Sequence, residues 1–544
     1  YYYIDKTLII KELLDNRNKV SLFTRPRRFG KTLAQTTLQT FFEDERDAKG
    51  NKINNLHYFE GKKIMEMGDV YLSHAGNYPV IKMSLKSAKQ PDFEIAYASL
   101  VDEITKEYRR HKYILQSDTL TETEKTDYWK IMERKADYHQ YTRSVQFLSE
   151  CLERYHGKSV VILIDEYDVP LENAWFKGFY DKMIDFIRSL LESALKTNNH
   201  LAFAVVTGCL RISKESIFTG LNNLNVVSIL SKGFGEYFGF VPSEVEEMLD
   251  FYEIGSYKAE VKKWYDGYLF GKAGVYNPWS VINFVYNIAD GTTEFAKPYW
   301  SNTSSNSIVR ELVERADMQA RSEIERLLDG GTIEKPIHED ITYGDIYDSQ
   351  DNLWNFLFFT GYLKKCGERQ DVSTIYLTMS IPNIEIAYIY ENMILTWFDK
   401  KIRKSDMIPL QKAIESKDCE KFAKFLSSQL LDTISFFDYK ESYYHGFLSG
   451  ILKCLNKYRI TSNREAGEGR CDLIMEDYET GDTAIVLEIK IAGKFREMEK
   501  KCDEALKQIE EMQYEYNLRE EGYQEIIKYG VCFFKKRCMV KCTK

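Results

Sequence analysis

The chain has 544 residues, of which 44% are hydrophobic and 29% charged, and its formal net charge is −9. This length exceeds that of one ordinary domain and indicates about three to four. The acidic total excludes a general attraction to nucleic acid, so binding would depend on local basic patches such as Lys535 to Arg537. No run approaches the roughly 18 apolar residues of a membrane-spanning helix, so no membrane association is expected.

The ten cysteines include no C-x-x-C pair, which argues against a zinc ribbon and is typical of reduced thiols in a cytoplasmic protein. The sequence opens at Tyr1 without a methionine or a signal-like segment, and we expect some residues to be missing at its start. We therefore expect a cytoplasmic protein with several domains.

The first chemical signal follows a short buried strand, Val20 to Thr24, where the loop RPRRFGKT leads into a helix from Leu33 to Phe42. A strand, a Gly-Lys-Thr loop and a helix form the architecture of a phosphate-binding loop, whose backbone N–H groups and helix N-terminus hold an anion. Gly30 belongs to this loop. Lys31 would reach the outer phosphates, and the Thr32 hydroxyl would bind magnesium.

The loop departs from the pattern G-x-x-x-x-G-K-T, because Arg25 stands in place of the first glycine and removes conformational freedom there. The side chains of Arg25, Arg27 and Arg28 would add positive charge near a bound triphosphate. The alternative is that they are surface arginines with structural partners.

The apolar run Ser159 to Ile164 predicts a strand buried on both faces of a parallel sheet, and it ends in Asp165 and Glu166. Ligands bind at the carboxyl ends of such strands. Asp165 would hold magnesium through water, and Glu166 would orient or deprotonate the attacking water. Apolar strands also end in Asp-Glu in proteins that bind no nucleotide, so this pair is informative mainly together with the upstream loop.

A further buried strand is predicted from Leu201 to Val206 and ends at Thr207, with Arg211 four residues later as a phosphate-binding, interface or structural arginine. From about residue 310 to 430 the pattern is mainly helical, with the strand-like segment STIYLTM near its centre. Helices followed by a short hairpin resemble a winged-helix-like lid, which would carry a nucleotide-dependent signal along the chain.

The second chemical signal lies near the C-terminus, where Asp472 is on one predicted strand and Glu488 and Lys490 are two residues apart on the next. A hairpin-like return would bring Asp472 beside Glu488. Two adjacent carboxylates repel each other unless a cation lies between them, and hard oxygen ligands favour magnesium or manganese. Lys490 would hold the attacking water or stabilise charge in the transition state. The alternative is the solvated face of an amphipathic strand.

The order of elements from residue 439 to 534 resembles the PD-(D/E)xK nuclease core: helix, strand, strand with Asp, strand with Glu-x-Lys, helix, strand. The segments ESYYHGFLSGIL, SNREAGEGRCDLIM, VLEIK and ALKQI resemble the C-terminal nuclease-like domain of a bacterial family whose N-terminal half is AAA-ATPase-like. The segments TRPRRFGKT and TGCLRISKESIFTGLNNL resemble the ATPase-like half of the same family.

This resemblance implies that the cofactors are ATP and Mg²⁺ or Mn²⁺. It implies that Asp472 and Glu488 are metal ligands and that Lys490 is the catalytic lysine, with Glu441 as an auxiliary acid. At the position of Thr207, related ATPases place a polar residue that senses the terminal phosphate.

One feature of the nuclease motif departs from the resemblance. Gln508 matches a glutamine on the helix after the core in related nucleases. A tyrosine often follows four residues later, but Met512 stands there and Tyr514 comes two residues beyond it. This departure weakens the assignment of Gln508.

The predicted fold class is α/β in three parts. A P-loop NTPase with a parallel sheet and flanking helices is expected over residues 1–300, a helical, winged-helix-like connector over 301–430, and a PD-(D/E)xK nuclease-like α/β domain over 431–544.

The leading interpretation is an ATP-binding module coupled to a metal-dependent nuclease that acts on nucleic acid, DNA in the first place, from foreign or mobile elements. A homo-oligomer is a further expectation, because ATPases of this kind often assemble. One alternative is a nucleotide-controlled switch whose nuclease fold only binds nucleic acid or a partner protein. Another is an ATPase with a purely structural C-terminal domain. The residues needed for both chemistries are present, which favours the leading interpretation.

Overall fold

The computed structural model describes residues 2–211, 224–300, 309, 311, 318–339, 349–402, 406–433, 441–455, 457–466, 469–477 and 481–543. The chain divides into two compact units. The first unit comprises Tyr1–Asn306 and Thr332–Ile389, and the second comprises Ser307–Gly331 and Tyr390–Lys544.

The division into units does not follow the predicted boundaries at residues 300 and 430. Residues 332–389, from the middle of the predicted connector, belong to the first unit, and the flanking parts belong to the second. The three-domain organisation therefore stays a prediction.

The described residues form strands and helices throughout both units. The strands are β1 Val20–Thr24, β2 Val80–Ser84, β3 Val160–Asp165, β4 Leu201–Gly208, β5 Leu224–Val227, β6 Tyr268–Phe270, β7 Ala273–Val275, β8 Ile333–Pro336, β9 Lys364–Asp371, β10 Thr374–Ser380, β11 Tyr458–Ala466, β12 Gly469–Asp477, β13 Thr483–Ile491, β14 Glu525–Phe534 and β15 Arg537–Cys542. The helices are α1 Ile9–Asn16, α2 Lys31–Phe42, α3 Asp69–Leu72, α4 Phe93–Arg110, α5 Glu122–Met132, α6 Tyr138–Thr142, α7 Ser144–His156, α8 Val169–Lys177, α9 Tyr180–Leu191, α10 Pro242–Phe251, α11 Lys258–Tyr265, α12 Pro278–Ala289, α13 Met318–Leu328, α14 Gln350–Phe359, α15 Ile384–Ile402, α16 Ile408–Glu415, α17 Cys419–Thr433, α18 Glu441–Leu452, α19 Met498–Glu511 and α20 Glu515–Glu520.

The core of the first unit is a five-stranded sheet with the order β2-β3-β4-β1-β5. Every neighbouring pair in it is parallel. All residues of β1 and β3 are buried, as their continuous apolar sequences predicted. Because β4 lies between β1 and β3, the carboxyl ends of these three strands meet at one edge of the sheet.

The first unit also contains a small antiparallel sheet in the order β8-β10-β9. Helix α14 leads directly into the β9–β10 hairpin, so the predicted succession of a helix and a short hairpin is present.

The second unit is built on a five-stranded mixed sheet in the order β11-β12-β13-β14-β15. Only β13 and β14 are parallel, and the other pairs are antiparallel. One face packs against apolar residues of α16, α17 and α18, and the other against α19 and α20. The sheet is therefore buried on both faces, and the predicted α/β fold class is confirmed for both units.

All ten cysteines are free thiols. None of the helices in the described part of the chain combines the length and apolarity needed to cross a membrane.

Candidate functional site

The loop from Arg25 to Gly30, called the phosphate loop below, joins β1 to α2. Arg28 and Gly30 have φ angles of 69° and 84°, in the left-handed region, and these two residues turn the chain from the strand into the helix. Gly30 immediately precedes the first residue of α2, so the unpaired N–H groups of that helix begin at the loop. This is the local geometry that an anion-binding loop requires.

The Lys31 ammonium group lies across the phosphate loop. Its Nζ donates to the carbonyl oxygens of Arg25 and Pro26 at 2.9 and 2.8 Å, and the side chain is buried. The amine is thus held by backbone oxygens at the loop where the outer phosphates were predicted to bind. Its role toward phosphate stays a prediction.

The structure brings together Thr32, Asp165 and Thr207 at the carboxyl edge of the sheet. The Thr32 hydroxyl donates to Asp165 Oδ2 at 2.5 Å, and the Thr207 hydroxyl donates to Asp165 Oδ1. A carboxylate and a hydroxyl are hard oxygen ligands, so this donor set fits magnesium. Gln35, one turn further along α2, belongs to no motif in the sequence; its Nε2 donates to the Ile164 carbonyl oxygen at 2.8 Å.

Glu166 and Asp168 follow β3 in different environments. Glu166 is half-buried with a φ of 52° and turns the chain away from the strand. Asp168 is buried and accepts from the N–H groups of Cys209 and Leu210 at 2.8 and 3.1 Å, and burial raises its pKa to about 6. Asp168 therefore fixes the chain after β4, while Glu166 is the acid that remains accessible for the predicted water-orienting role.

Each of the three loop arginines has a partner within the protein. The alternative of surface arginines does not describe Arg25, which is fully buried, and it stays open for Arg27 and Arg28. Arg25 is fully buried between the rings of Phe238 and Phe270, at 5.1 and 5.2 Å, and burial lowers its pKa to about 9. Its Nη1 donates to the backbone oxygens of Thr24 and Val227 at 2.9 and 2.7 Å, so its charge points into the protein rather than toward the open side of the loop, which corrects the expectation for this residue.

The other two arginines lie closer to solvent. Arg27 forms an ion pair with Glu172 at 2.6 Å, and the Arg28 guanidinium lies over the Trp279 ring at 4.0 Å. The phosphate-binding roles of Arg27 and Arg28 stay predictions. The same holds for Arg211, which is half-buried after the end of β4.

The three residues predicted for the C-terminal site lie together on β12 and β13. The register pairs Leu473 with Leu487, which places Asp472 beside Glu488 on the neighbouring strand. Asp472 Oδ2 accepts from the N–H of Ile489 at 2.8 Å, and Lys490 Nζ donates to Glu488 Oε1 at 3.1 Å. The antiparallel pair and the shared face of Glu488 and Lys490 are as predicted.

The carboxylate of Glu488 is buried and only partly neutralised. The residue is 2% exposed, and burial, followed by the charge of Asp472, raises its pKa to about 7 against the opposing effect of Lys490. Its Oε2 is buried and has no hydrogen-bond partner among the described residues. A buried oxygen of this kind beside a second carboxylate is the arrangement that a hard divalent cation would complete.

Within the described ranges, no group of three or more His, Cys, Asp or Glu side chains is arranged to hold a metal ion. Asp472 and Glu488 would therefore supply two ligands, with water or phosphate oxygens completing the shell. Mg²⁺ suits such a site, because it commonly keeps several waters and binds through one or two carboxylates.

Two further side chains, those of His445 and Gln508, make contacts in the second unit. The His445 ring on α18 lies with its Nε2 2.9 Å from the backbone oxygen of Asp472, a contact that sequence analysis missed because a lone histidine on a helix carries no signal. Gln508 Nε2 donates to the Tyr514 hydroxyl at 3.4 Å, so Tyr514 contacts Gln508 although it lies six residues away instead of four. The side chain of Glu441 lies outside the described residues.

Two family models match the chain. Residues 1–218 match the family described as "Predicted AAA-ATPase", and residues 439–543 match the PD-(D/E)XK nuclease superfamily. The chain carries an AAA-ATPase-like domain and a PD-(D/E)XK nuclease-superfamily domain. The phosphate loop, Asp165 and Thr207 lie in the AAA-ATPase-like domain, and Asp472, Glu488 and Lys490 lie in the nuclease-superfamily domain.

The chain is similar to a curated protein whose name states no activity. It is the "Uncharacterized protein in vnfD 5'region" of Azotobacter chroococcum mcd 1, 26% identical over 319 residues. The match covers 58% of this chain and 52% of that protein, so the chain spans about half the length of the relative.

Proposed function

We propose that this chain is an ATP-binding protein whose nuclease-superfamily domain hydrolyses phosphodiester bonds of nucleic acid with Mg²⁺ or Mn²⁺. The observation that carries the proposal is the cluster of Asp472, Glu488 and Lys490, in which a buried carboxylate oxygen has no hydrogen-bond partner within the part of the chain that the structure describes. We further propose that the substrate is DNA of foreign or mobile origin, that the protein acts in the cytoplasm and that it assembles as a homo-oligomer.

Each residue of the nuclease cluster has a separate task in this proposal. Asp472 and Glu488 hold the divalent ion, which polarises a phosphoryl oxygen and lowers the pKa of an attacking water. Lys490, 23% exposed at its side chain, donates to the attacking water or to the phosphoryl oxygen on which charge develops. The hydrogen bond from the Ile489 N–H keeps the Asp472 carboxylate oriented toward Glu488.

In the AAA-ATPase-like domain, the phosphate loop and the N-terminus of α2 hold the phosphates of ATP, and Lys31 moves from the loop carbonyls to the outer phosphates. Thr32 and Asp165 hold Mg²⁺, and Thr207 orients Asp165 through its hydroxyl. Glu166 orients the water for hydrolysis.

The test is cleavage of labelled single- and double-stranded DNA and RNA by the full chain with Mg²⁺ or Mn²⁺. We expect Lys490→Ala and Glu488→Gln to lower cleavage by at least about 100-fold, since each removes a group that acts on the developing charge or the ion. Lys507→Ala is the matched control, because Lys507 is an exposed lysine of the same domain paired with Glu511.

Two outcomes would contradict the nuclease proposal. One is an absence of cleavage on every substrate with either ion. The other is equal cleavage by wild type and Lys490→Ala, which would assign the activity to a contaminant. Nucleic-acid binding by the wild type without any cleavage would favour the nucleotide-controlled switch.

A further inference from the structure

A pocket of about 350 Å³ opens beside the phosphate loop in the first unit. We call it the aromatic pocket, after Tyr2, Tyr3, Phe29, Tyr237, Phe240 and Trp279, which line it. Arg28, Phe29 and Gly30 of the phosphate loop belong to its wall, so the pocket and the loop are continuous. Its volume lies in the range of small-molecule sites, roughly 300–1,000 Å³.

The wall of the aromatic pocket is mainly apolar, and two of its polar side chains, Lys6 and Tyr2, are bound to protein partners. Lys6 Nζ donates to Glu244 at 2.6 Å, and the Tyr2 hydroxyl donates to Glu247 at 3.5 Å. At the same time, Leu33 is 62% exposed and Trp279 is 42% exposed at the pocket. Exposed apolar surface gathered around a concave site indicates a binding function.

The indole of Trp279 packs against the phosphate loop. The Arg28 guanidinium lies 4.0 Å from the centre of the ring, a cation–π contact that covers part of the indole and links it to the phosphate loop. Trp279 is also at the start of α12, where the Asn277 side chain accepts from the backbone N–H of Trp279 at 3.0 Å. The indole therefore offers an aromatic face beside the site predicted for the phosphates.

We propose that the aromatic pocket binds the base and ribose of the nucleotide seated at the phosphate loop, by stacking and apolar contact, and accepts adenine and guanine alike. This inference rests on the proposed function of the loop as a nucleoside triphosphate site. A flat base matches a carbon-lined wall that continues from the loop, and a wall of this kind recognises the face of the base more than its edge.

The expected acceptance of both adenine and guanine follows from the apolar wall of the pocket. Sites that donate and accept hydrogen bonds at a substrate's edge reject the analogue lacking those groups by about 10⁴–10⁵, whereas apolar pockets discriminate by about 10²-fold or less. Lys6 and Tyr2 already donate to Glu244 and Glu247, so these two polar side chains do not need a hydrogen-bond partner on the base. We therefore expect ATP and GTP to bind within about 100-fold of each other.

The test compares binding of ATP, GTP and inorganic tripolyphosphate to the full chain by calorimetry in Mg²⁺. We expect Trp279→Ala to weaken ATP and GTP about tenfold each, because a stacking face is lost, and to leave tripolyphosphate binding unchanged. Trp279→Phe keeps an aromatic face and is expected to retain most of the affinity. Tyr286→Ala is the matched control, since Tyr286 lies on the same helix, is 67% exposed and is not part of the pocket wall.

The outcomes separate this inference from the proposed function. If ATP binds and Lys31→Ala weakens it while Trp279→Ala does not, the loop holds nucleotide but the base lies elsewhere, and the inference is overturned. ATP binding more than about 100-fold tighter than GTP overturns recognition by the face of the base. If neither nucleotide binds, the proposed function fails first and the inference fails with it. Circular dichroism of Trp279→Ala checks that the variant folds.

Discussion

Glu385 is a fully buried carboxylate near the phosphate loop. Its two oxygens accept from the Ser280 hydroxyl at 2.8 and 3.0 Å. Its Oε1 also accepts from the backbone N–H of Trp300 at 2.9 Å. Burial raises its pKa to about 7, and the opposing effects come from these donors and from the charge of Arg28. The carboxylate therefore titrates near neutral pH in the folded protein.

This titration predicts how stability depends on pH. Because the folded pKa lies above the unfolded value, the contribution of Glu385 is fully present below about pH 4.5 and is lost as pH rises through 7, by about 3 kcal/mol at most. Glu385→Gln cannot ionise, so its midpoint of thermal unfolding is expected to rise relative to wild type between pH 5 and 8. Glu294→Gln, at an exposed carboxylate, is the control. A difference that does not change with pH would refute the prediction.

Gly208 ends β4 at the point where the chain passes Asp168. A Cβ atom at this position would lie 2.6 Å from the Tyr167 ring and 2.8 Å from Asp168 Oδ1. Gly208→Ala is expected to lower the free energy of unfolding by about 1–3 kcal/mol through overpacking and to weaken ATP binding, because Thr207 is its neighbour. Gly274→Ala, in a strand where a Cβ would meet nothing within 4 Å, is the control. Chemical denaturation measures both, and equal losses would contradict the steric cause.

At the scale of residues, sequence alone could place side chains whose positions depend on local periodicity. Glu488 and Lys490 share a face because they are two apart in a strand. Thr32 at the start of α2 and Asp165 at the end of β3 meet at the sheet edge. It could not place Arg25, because only tertiary packing puts its guanidinium between Phe238 and Phe270. The contact of His445 with Asp472 likewise depends on how a helix crosses a sheet.

At the scale of elements, the position of α19 on the sheet depends on Gly530 in β14. A Cβ there would lie 2.4 Å from the backbone oxygen of Cys502 and 3.1 Å from Leu506. Gly530 also pairs with Glu488 in the parallel β13–β14 register, so a displaced helix would disturb the strand that carries the acid.

Gly530→Ala is therefore expected to lower the free energy of unfolding by about 1–3 kcal/mol and to reduce cleavage in the same variant. Gly446→Ala on α18, where a Cβ meets nothing within 4 Å, should be neutral or stabilise by about 0.5–1 kcal/mol. Chemical denaturation and the cleavage assay measure the two effects. Unchanged stability of Gly530→Ala would show that the helix can shift without cost.

Sequence patterns located strands β1, β3 and β4 of the parallel sheet but not β2 and β5. The strand from Val20 to Thr24 has the predicted bounds, while β15 was not predicted because the short segment after Phe534 carries no clear alternation. The motif pattern also could not predict the contact between Gln508 and Tyr514. Helix α19 ends at Glu511, so the spacing of four residues no longer applies and Tyr514, beyond the helix end, reaches Gln508 instead.

At the scale of the whole molecule, the two candidate chemistries lie in different compact units. The phosphate loop belongs to the first unit, and Asp472, Glu488 and Lys490 belong to the second. Residues 384–389 of α15 belong to the first unit and residues 390–402 to the second, so one helix is shared between them. Its first turn carries Glu385, whose charge interacts with Arg28 of the phosphate loop.

This shared helix motivates the prediction that nucleotide binding changes the nuclease rate. A coupling free energy of about 1–3 kcal/mol would change the rate of cleavage about 5- to 150-fold on addition of ATP. Lys31→Ala is expected to remove this ATP response and keep the basal rate, whereas Lys490→Ala removes cleavage and keeps ATP binding. Cleavage assays with ATP, a non-hydrolysable analogue and no nucleotide distinguish binding from hydrolysis as the signal. Equal rates in all three conditions would mean that the two units work independently, since a ligand without differential affinity for two states cannot shift their equilibrium.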